Sequence, residues 1–154
     1  MEFRPFSLDS LRDILRLGIA MQQEGDYATV PFDIQKAANS IMSMVVNNPS
    51  GFGILAYKDD EAIGMLAGTL SPYFFSNGKL ASDYVWYIRP EHRGARTALT
   101  MLNIFKSWAL ENGATEMYMG VTTNISSDRT GKLLEKQGFE HVGGNYRMKL
   151  NVST

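Results

Sequence analysis

Few architectures accommodate residues 84 to 121. Tyr84 to Ile88 is an unbroken aromatic and β-branched run, the composition of a strand covered on both faces, and Pro90 ends it. A basic, small-residue turn then opens a long stripe in which Ala98, Leu99, Met101, Leu102, Phe105, Trp108 and Ala109 recur at helical spacing until Asn112-Gly113 stops them. Glu116 to Val121 reads as a strand again. A strand, a helix and a second strand in this order require a right-handed crossover and place the two strands parallel.

The rest of the chain reads as follows. Glu2 to Phe6 is a short first strand, and Ser7 caps a helix whose apolar face runs from Leu8 through Ile14, Leu15 and Ile19 to the Glu24-Gly25 stop. A second stripe covers Ile34 to Val45 and ends at Asn48-Pro49. Gly53 to Tyr57 and Ala62 to Leu70 are two antiparallel strands around a polar four-residue turn, Lys58 to Glu61, and Ser71 to Leu80 is a loop. After the crossover come a helix from Asp128 to Gln137, stopped by Gly138, and a final hairpin from Phe139 to Leu150 that turns near Gly143-Gly144-Asn145. The expectation is an α/β (α+β) fold: a mixed, mostly antiparallel sheet of about seven strands with a central parallel pair, and about four helices, in one domain over residues 1–154.

Composition narrows the function. The 154 residues include no cysteine, which removes disulfide frameworks, thiolate metal sites and cysteine nucleophiles together. Fifteen Lys and Arg against sixteen Asp and Glu leave no general grip on nucleic acid or anionic lipid, so any site is local. The opening MEFRPFSLDS lacks the apolar core of a signal peptide and no window approaches the ~18 apolar residues of a membrane span, so a cytoplasmic protein is expected. His92 and His141 have no carboxylate pattern around them, and no metal is expected.

The turn after the central strand carries the chemistry. Backbone N–H groups converge where Arg93-Gly94-Ala95-Arg96-Thr97-Ala98 opens a helix, and the helix dipole adds positive potential, so the turn suits a phosphate. Positive side chains are electrostatically unfavourable at a helix start, which favours an anion beside Arg93 and Arg96 over two solvated arginines.

These residues resemble the pyrophosphate loop of the GNAT superfamily of N-acetyltransferases: Gln or Arg, two residues, Gly, one residue, then Gly or Ala. Arg93 matches the first position and Ala98 the last, while Arg96 replaces the middle glycine. Leu133-Leu134-Glu135-Lys136-Gln137-Gly138-Phe139 resembles the second signature, a helix ending in Glu-Lys-x-Gly-Phe before the last hairpin. The order of elements is also the family's, so the resemblance covers nearly the whole chain, and the wording from Trp86 to Gly94 is most similar to small acetyltransferases encoded by phages and prophages.

The resemblance implies acetyl-CoA bound where the strands at 84–88 and 116–121 splay apart, with Ile88 offering its main chain to the pantetheine arm near the acetyl group. It assigns Arg93, Gly94, Ala95, Arg96, Thr97 and Ala98 to the pyrophosphate, Arg96 through its guanidinium from the side, and Ser127 to a cofactor contact, with helix capping an equal account of Ser127. It implies direct attack by an amine, with Asp83 as base. Leu134 stands where the family carries the tyrosine that protonates the leaving thiolate; Tyr146 in the last hairpin is the substitute acid, with Tyr87, Tyr118 or no dedicated acid as alternatives. The acceptor is a small-molecule or protein amine, its pocket drawn from Glu24, Asp26, Tyr27, Phe32 and Tyr73 to Phe75. Homodimers through sheet edges are common in the family. Two other readings remain open: a CoA-binding module without turnover, and a phage-type accessory or structural protein without CoA.

Overall fold

The computed structural model describes residues 1–120 and 125–150. Five strands form one sheet in chain order: β1 (Glu2–Pro5), β2 (Gly51–Lys58), β3 (Glu61–Tyr73), β4 (Ser76–Ile88) and β5 (Ala114–Tyr118). All neighbours are antiparallel except β4 and β5, the parallel pair required by the crossover. Four α-helices accompany them: α1 (Leu11–Glu24), α2 (Ile34–Ile41), α3 (Ala95–Glu111) and α4 (Ser127–Lys136).

Local chemistry explains the element ends. Ser7 begins a single 3-10 turn ahead of α1, and its N–H donates to Ser10 Oγ at 2.9 Å while Ser10 Oγ donates back to the Ser7 carbonyl at 3.0 Å. Asp33 caps α2 by accepting the Lys36 N–H at 2.9 Å, and a wider turn over Met42–Val46 carries the chain on toward β2. The polar turn between β2 and β3 is tighter than its composition predicts. Lys58 pairs with Glu61, so only Asp59 and Asp60 span the turn, at φ of 50° and 62°.

The sheet is covered on both faces. Phe52, Ile54, Ile63, Leu66, Ala81 and Ile88 pack with Met101, Phe105 and Ala109 of α3, where the Phe52 and Phe105 rings stack 4.9 Å apart. On the other face Leu55, Tyr57, Met65 and Tyr87 meet Ile14 and Leu17 of α1, together with Phe6 and Val45.

Two features depart from the sequence reading. Ser71 to Leu80 is not a loop: Ser71 pairs with Leu80 and Pro72 with Lys79, leaving Phe74 and Phe75 as the turn. This end of the hairpin is largely exposed, so no alternation of apolar residues marks it. The final hairpin is the second departure. Residues 139–150 form no strand, the described residues give the sheet five strands rather than about seven, and Val142, Tyr146, Met148 and Leu150 are exposed. A two-stranded ribbon is marginal alone, Gly143-Gly144 weakens its centre, and the five residues of β5 offer it a short edge.

β4 also contains one residue more than its partner. Ala67 faces Val85 while Gly68 faces Asp83, so Tyr84 is an unpaired bulge. Gly68 is held tightly at this point, since a Cβ there would stand 2.6 Å from both Phe105 Cζ and the Ser82 carbonyl oxygen. Gly68→Ala is therefore expected to destabilise the fold by about 1–3 kcal/mol, the scale of overpacking, as measured by urea unfolding. Unchanged stability would mean that the bulge tolerates a side chain.

Candidate active site

The bulge lies just past the end of the pairing between β4 and β5. Their parallel pairing covers Lys79 to Ser82 on one strand and Ala114 to Tyr118 on the other, and it ends at Ser82 and Tyr118. β4 continues six residues further, and among the described residues no strand pairs with that edge. Arg89 donates its N–H to Ile63 of β3 at 2.8 Å, so by strand alternation the main-chain groups of Trp86 and Ile88 face the open edge. There an extended, amide-bearing ligand can be received as an added strand.

At the fork, Asp83 Oδ1 accepts the Gly120 N–H at 2.9 Å, a side-chain link just beyond the last paired residues of β4 and β5 among those described. Burial pushes the Asp83 carboxyl up from the ordinary carboxylate range, against the opposing effect of the hydrogen bonds that it accepts from backbone N–H groups. Just beyond β4, α3 begins without a side-chain cap: its N-cap is Gly94, in extended conformation, and a Cβ at Gly94 would meet nothing within 4 Å. The first-turn N–H groups of α3 therefore face space that a ligand can occupy.

Fork and helix start share one cleft of about 750 Å³. Its walls include Asp83, Tyr84, Trp86 and Ile88 from β4, Gly94, Ala95 and Ala98 from the start of α3, and Arg129, Lys132 and Lys136 from α4. These residues fit acetyl-CoA: an open strand edge for the pantetheine amides, uncapped N–H groups for a diphosphate, and cations alongside.

Individual residues are placed less uniformly. Arg93 lines the cleft but is engaged within the protein: its Nε donates to the Ile88 carbonyl at 2.9 Å, and its terminal nitrogen pairs with Glu24 at 2.7 Å. Glu24 also accepts the Tyr87 hydroxyl at 2.9 Å, and burial with this bond pushes the Tyr87 phenol up to about 12. Arg96 is exposed and Thr97 is buried, and neither lines the cleft. Ser127 is the first residue of α4, while the neighbouring Ser126 lines the cleft. Tyr146 is 98% exposed and lies outside the cleft. Leu134 is buried and lines a second cavity on the other side of α4; the residue of that turn that faces the cleft is Leu133.

Of the residues read as an acceptor pocket, Tyr27 lines the cleft. Asp26 pairs with Arg147 at 2.9 Å, and Tyr73 at the distal hairpin donates its hydroxyl to Glu116. The sequence reading missed Arg129, Lys132 and Lys136. Their three- and four-residue spacing on α4 was the available signal, but such a row on a short helix ordinarily reads as a solvated face.

Solved acetyltransferases share this architecture. The aminoglycoside 6'-N-acetyltransferase AAC(6')-IG of Acinetobacter haemolyticus superimposes with a TM-score of 0.74 at 18% identity, covering 99% of this chain and 100% of that chain. AAC(6')-Ih of Acinetobacter baumannii gives 0.72 at 18% identity, with 99% of each chain covered. A ribosomal-protein-alanine N-acetyltransferase of Brucella melitensis gives 0.73 at 14% identity, covering 97% of this chain and 98% of that one. No sequence among the curated proteins matches this chain. The fold is thus that of the acetyltransferases. The model of the acetyltransferase (GNAT) family matches residues 15–139, and the chain belongs to that family.

The Arg93–Glu24 pair gives a direct test of the local geometry. Its side chains are only 21% and 27% exposed, so screening by water is limited. A double-mutant cycle of Arg93→Ala and Glu24→Ala is expected to give a coupling of about 1.5 kcal/mol in chemical unfolding, the scale of a hydrogen bond between charged groups. A coupling indistinguishable from zero would contradict the pairing.

Proposed function

We propose that the protein transfers an acetyl group from acetyl-CoA to a primary amine by direct attack within a ternary complex. The observation that carries this reading is the open edge of β4 beyond Ser82, which leads directly to the uncapped start of α3 within one cleft. Acetyl-CoA supplies an activated thioester carbonyl.

The chain's own groups then have distinct tasks. The Ile88 N–H, on the open edge, is positioned to stabilise negative charge developing on a carbonyl oxygen, an effect worth about 3 kcal/mol when one such donor is lost. The diphosphate is held at the start of α3, where Gly94, Ala95 and Ala98 line the cleft and the backbone N–H of Ala95 is the nearest first-turn donor. Arg93 fixes the loop by holding both Ile88 and Glu24, and Ser127 supports the start of α4 beside the cofactor. Asp83 takes the proton from the attacking amine, directly or through water. A thiol is far more acidic than an alcohol, with a pKa of about 8.5 in cysteine, so the thiolate can leave without a dedicated proton donor, and Tyr146 need not enter the cleft.

The acceptor is an amine on a small molecule or a protein. Support comes from the neighbours' names, two of which specify aminoglycosides and one a ribosomal-protein alanine. The wording from Trp86 to Gly94, with Arg96 at the glycine position, supports a place among the phage- and prophage-encoded members, working in the cytoplasm. A second reading, a CoA-binding module without turnover, is favoured by Leu133 and Leu134, which leave this turn of α4 without a hydroxyl.

Thermal unfolding with acetyl-CoA tests the reading: ligand at ~100 times its dissociation constant should add ~2.7 kcal/mol, and no shift would remove it. A turnover assay separates the enzyme from the binding module. Asp83→Asn tests the base. Asparagine can still accept the Gly120 N–H, so folding should be preserved while turnover falls roughly 100-fold and cofactor affinity is unchanged.

The pH dependence follows from the direction of the Asp83 shift. A carboxyl whose folded-state pKa is raised binds its proton more tightly in the native state, so its contribution to stability is lost as pH rises from the unfolded value near 3.8 through the raised one. The base becomes competent over the same interval. The acid limb of kcat/KM should therefore lie above the ordinary carboxylate range and disappear in Asp83→Asn.

A further inference from the structure

The loop reading leaves the cations of α4 unused. Arg129, Lys132 and Lys136 recur at intervals of three and four, lie on one helix face, and all line the cleft. The two acids of the helix, Asp128 and Glu135, fall outside that lining, and Glu135 lines the second cavity instead. Among the described residues, none of the three cations has an ion pair, whereas Arg93 of the same cleft is held by Glu24. Among the described residues of the lining the only carboxylate is Asp83, which is tied to Gly120.

Like charges so spaced on a helix repel one another, and exposed side chains add little to the packing that would offset this. The start of α3, which also lines the cleft, contributes potential of the same sign. Two sources of positive potential share one cleft, and an anion relieves both. They differ in kind, however. Backbone N–H groups at a helix start suit the diphosphate, in which each phosphorus bears one charge. Lysine ammonium groups on flexible stems are point charges suited to a doubly charged phosphomonoester.

We propose that Arg129, Lys132 and Lys136 bind the phosphomonoester on the ribose 3′ position of CoA, separately from the diphosphate at the loop, and so make the protein selective for CoA over its 3′-dephospho form. The inference rests on the acetyl-CoA reading of the cleft and extends it by naming a specificity element on a different helix.

Calorimetric titration of the full chain with CoA and with 3′-dephospho-CoA at fixed ionic strength provides the test, using the parent and the triple variant Arg129→Gln, Lys132→Gln, Lys136→Gln. The parent is expected to favour CoA by roughly tenfold or more, the scale of one charge-assisted hydrogen bond. The variant should lose that preference while binding 3′-dephospho-CoA as the parent does. Equal affinity of the parent for the two ligands, or an equal loss for both in the variant, would overturn the proposal and leave the acetyl-CoA reading standing. Failure of both ligands to bind the parent would remove that reading and the proposal together. Should the variant not fold, salt titration of the parent decides: affinity for CoA should fall more steeply with ionic strength than affinity for 3′-dephospho-CoA, and equal slopes overturn the proposal.

Discussion

The cleft depends on the extra residue in β4. A parallel pair in register would continue along both strands and satisfy its backbone groups internally, leaving no edge for a ligand. The bulge at Tyr84 interrupts the register with β3 immediately after Asp83, and the pairing with β5 ends one residue earlier, at Ser82. A bulge bends its strand and increases its twist, so the two observations have one geometric cause. The unpaired edge among the described residues, the Asp83 link to Gly120 and the approach to α3 all lie at or just beyond that bulge. Gly68, held between Phe105 and the Ser82 carbonyl, is the close contact on the β3 side that the bend requires.

The bulge also explains why a carboxylate sits at the fork. Among the described residues the pairing of β4 with β5 ends at Ser82, and the Gly120 N–H lies beyond it. The Asp83 side chain supplies its acceptor at 2.9 Å. This position withdraws the carboxylate from water, which raises its affinity for a proton, while the N–H bond limits how far the shift proceeds. A group poised in this way suits proton transfer at mild pH better than a surface aspartate does, and its environment arises from the strand geometry itself.

How much of this was legible in the sequence depended on how local each signal is. The end of strand 84–88, where Tyr87 and Ile88 are buried, and helix α3 were readable because their covered faces keep an apolar pattern in the sequence. The bulge was not, because an unpaired residue is defined by the partner strand's register, and nothing in the wording of β4 marks Tyr84 as extra. The distal half of the β3–β4 hairpin escaped for the opposite reason: little covers it, so it lacks alternation. Val142, Tyr146, Met148 and Leu150 supplied apolar residues without a surface to cover, and the pattern alone did not reveal that β5 is too short to receive them. At the site, the loop from Arg93 to Ala98 was legible as a motif. Arg93's commitment to Glu24, 69 residues away in sequence, was not.

That commitment changes the electrostatic meaning of the motif. A cation just before α3 opposes the helix dipole, and an acid at the last residue of α1 opposes that helix's dipole in the same way. Each placement is unfavourable alone, and each is relieved by the other, since Arg93 and Glu24 meet at 2.7 Å. An anion is therefore not needed to explain Arg93, although its position at a helix start first suggests one. The same reasoning reaches a different result on α4, where Arg129, Lys132 and Lys136 share a face with no carboxylate among their described neighbours in the cleft except Asp83, already engaged by Gly120. Charge at the cleft is thus divided between an arginine that the fold neutralises and a row of cations that it does not. The first ties the end of α1 to the loop that opens α3. The second leaves positive potential along the wall of the cleft that α4 forms.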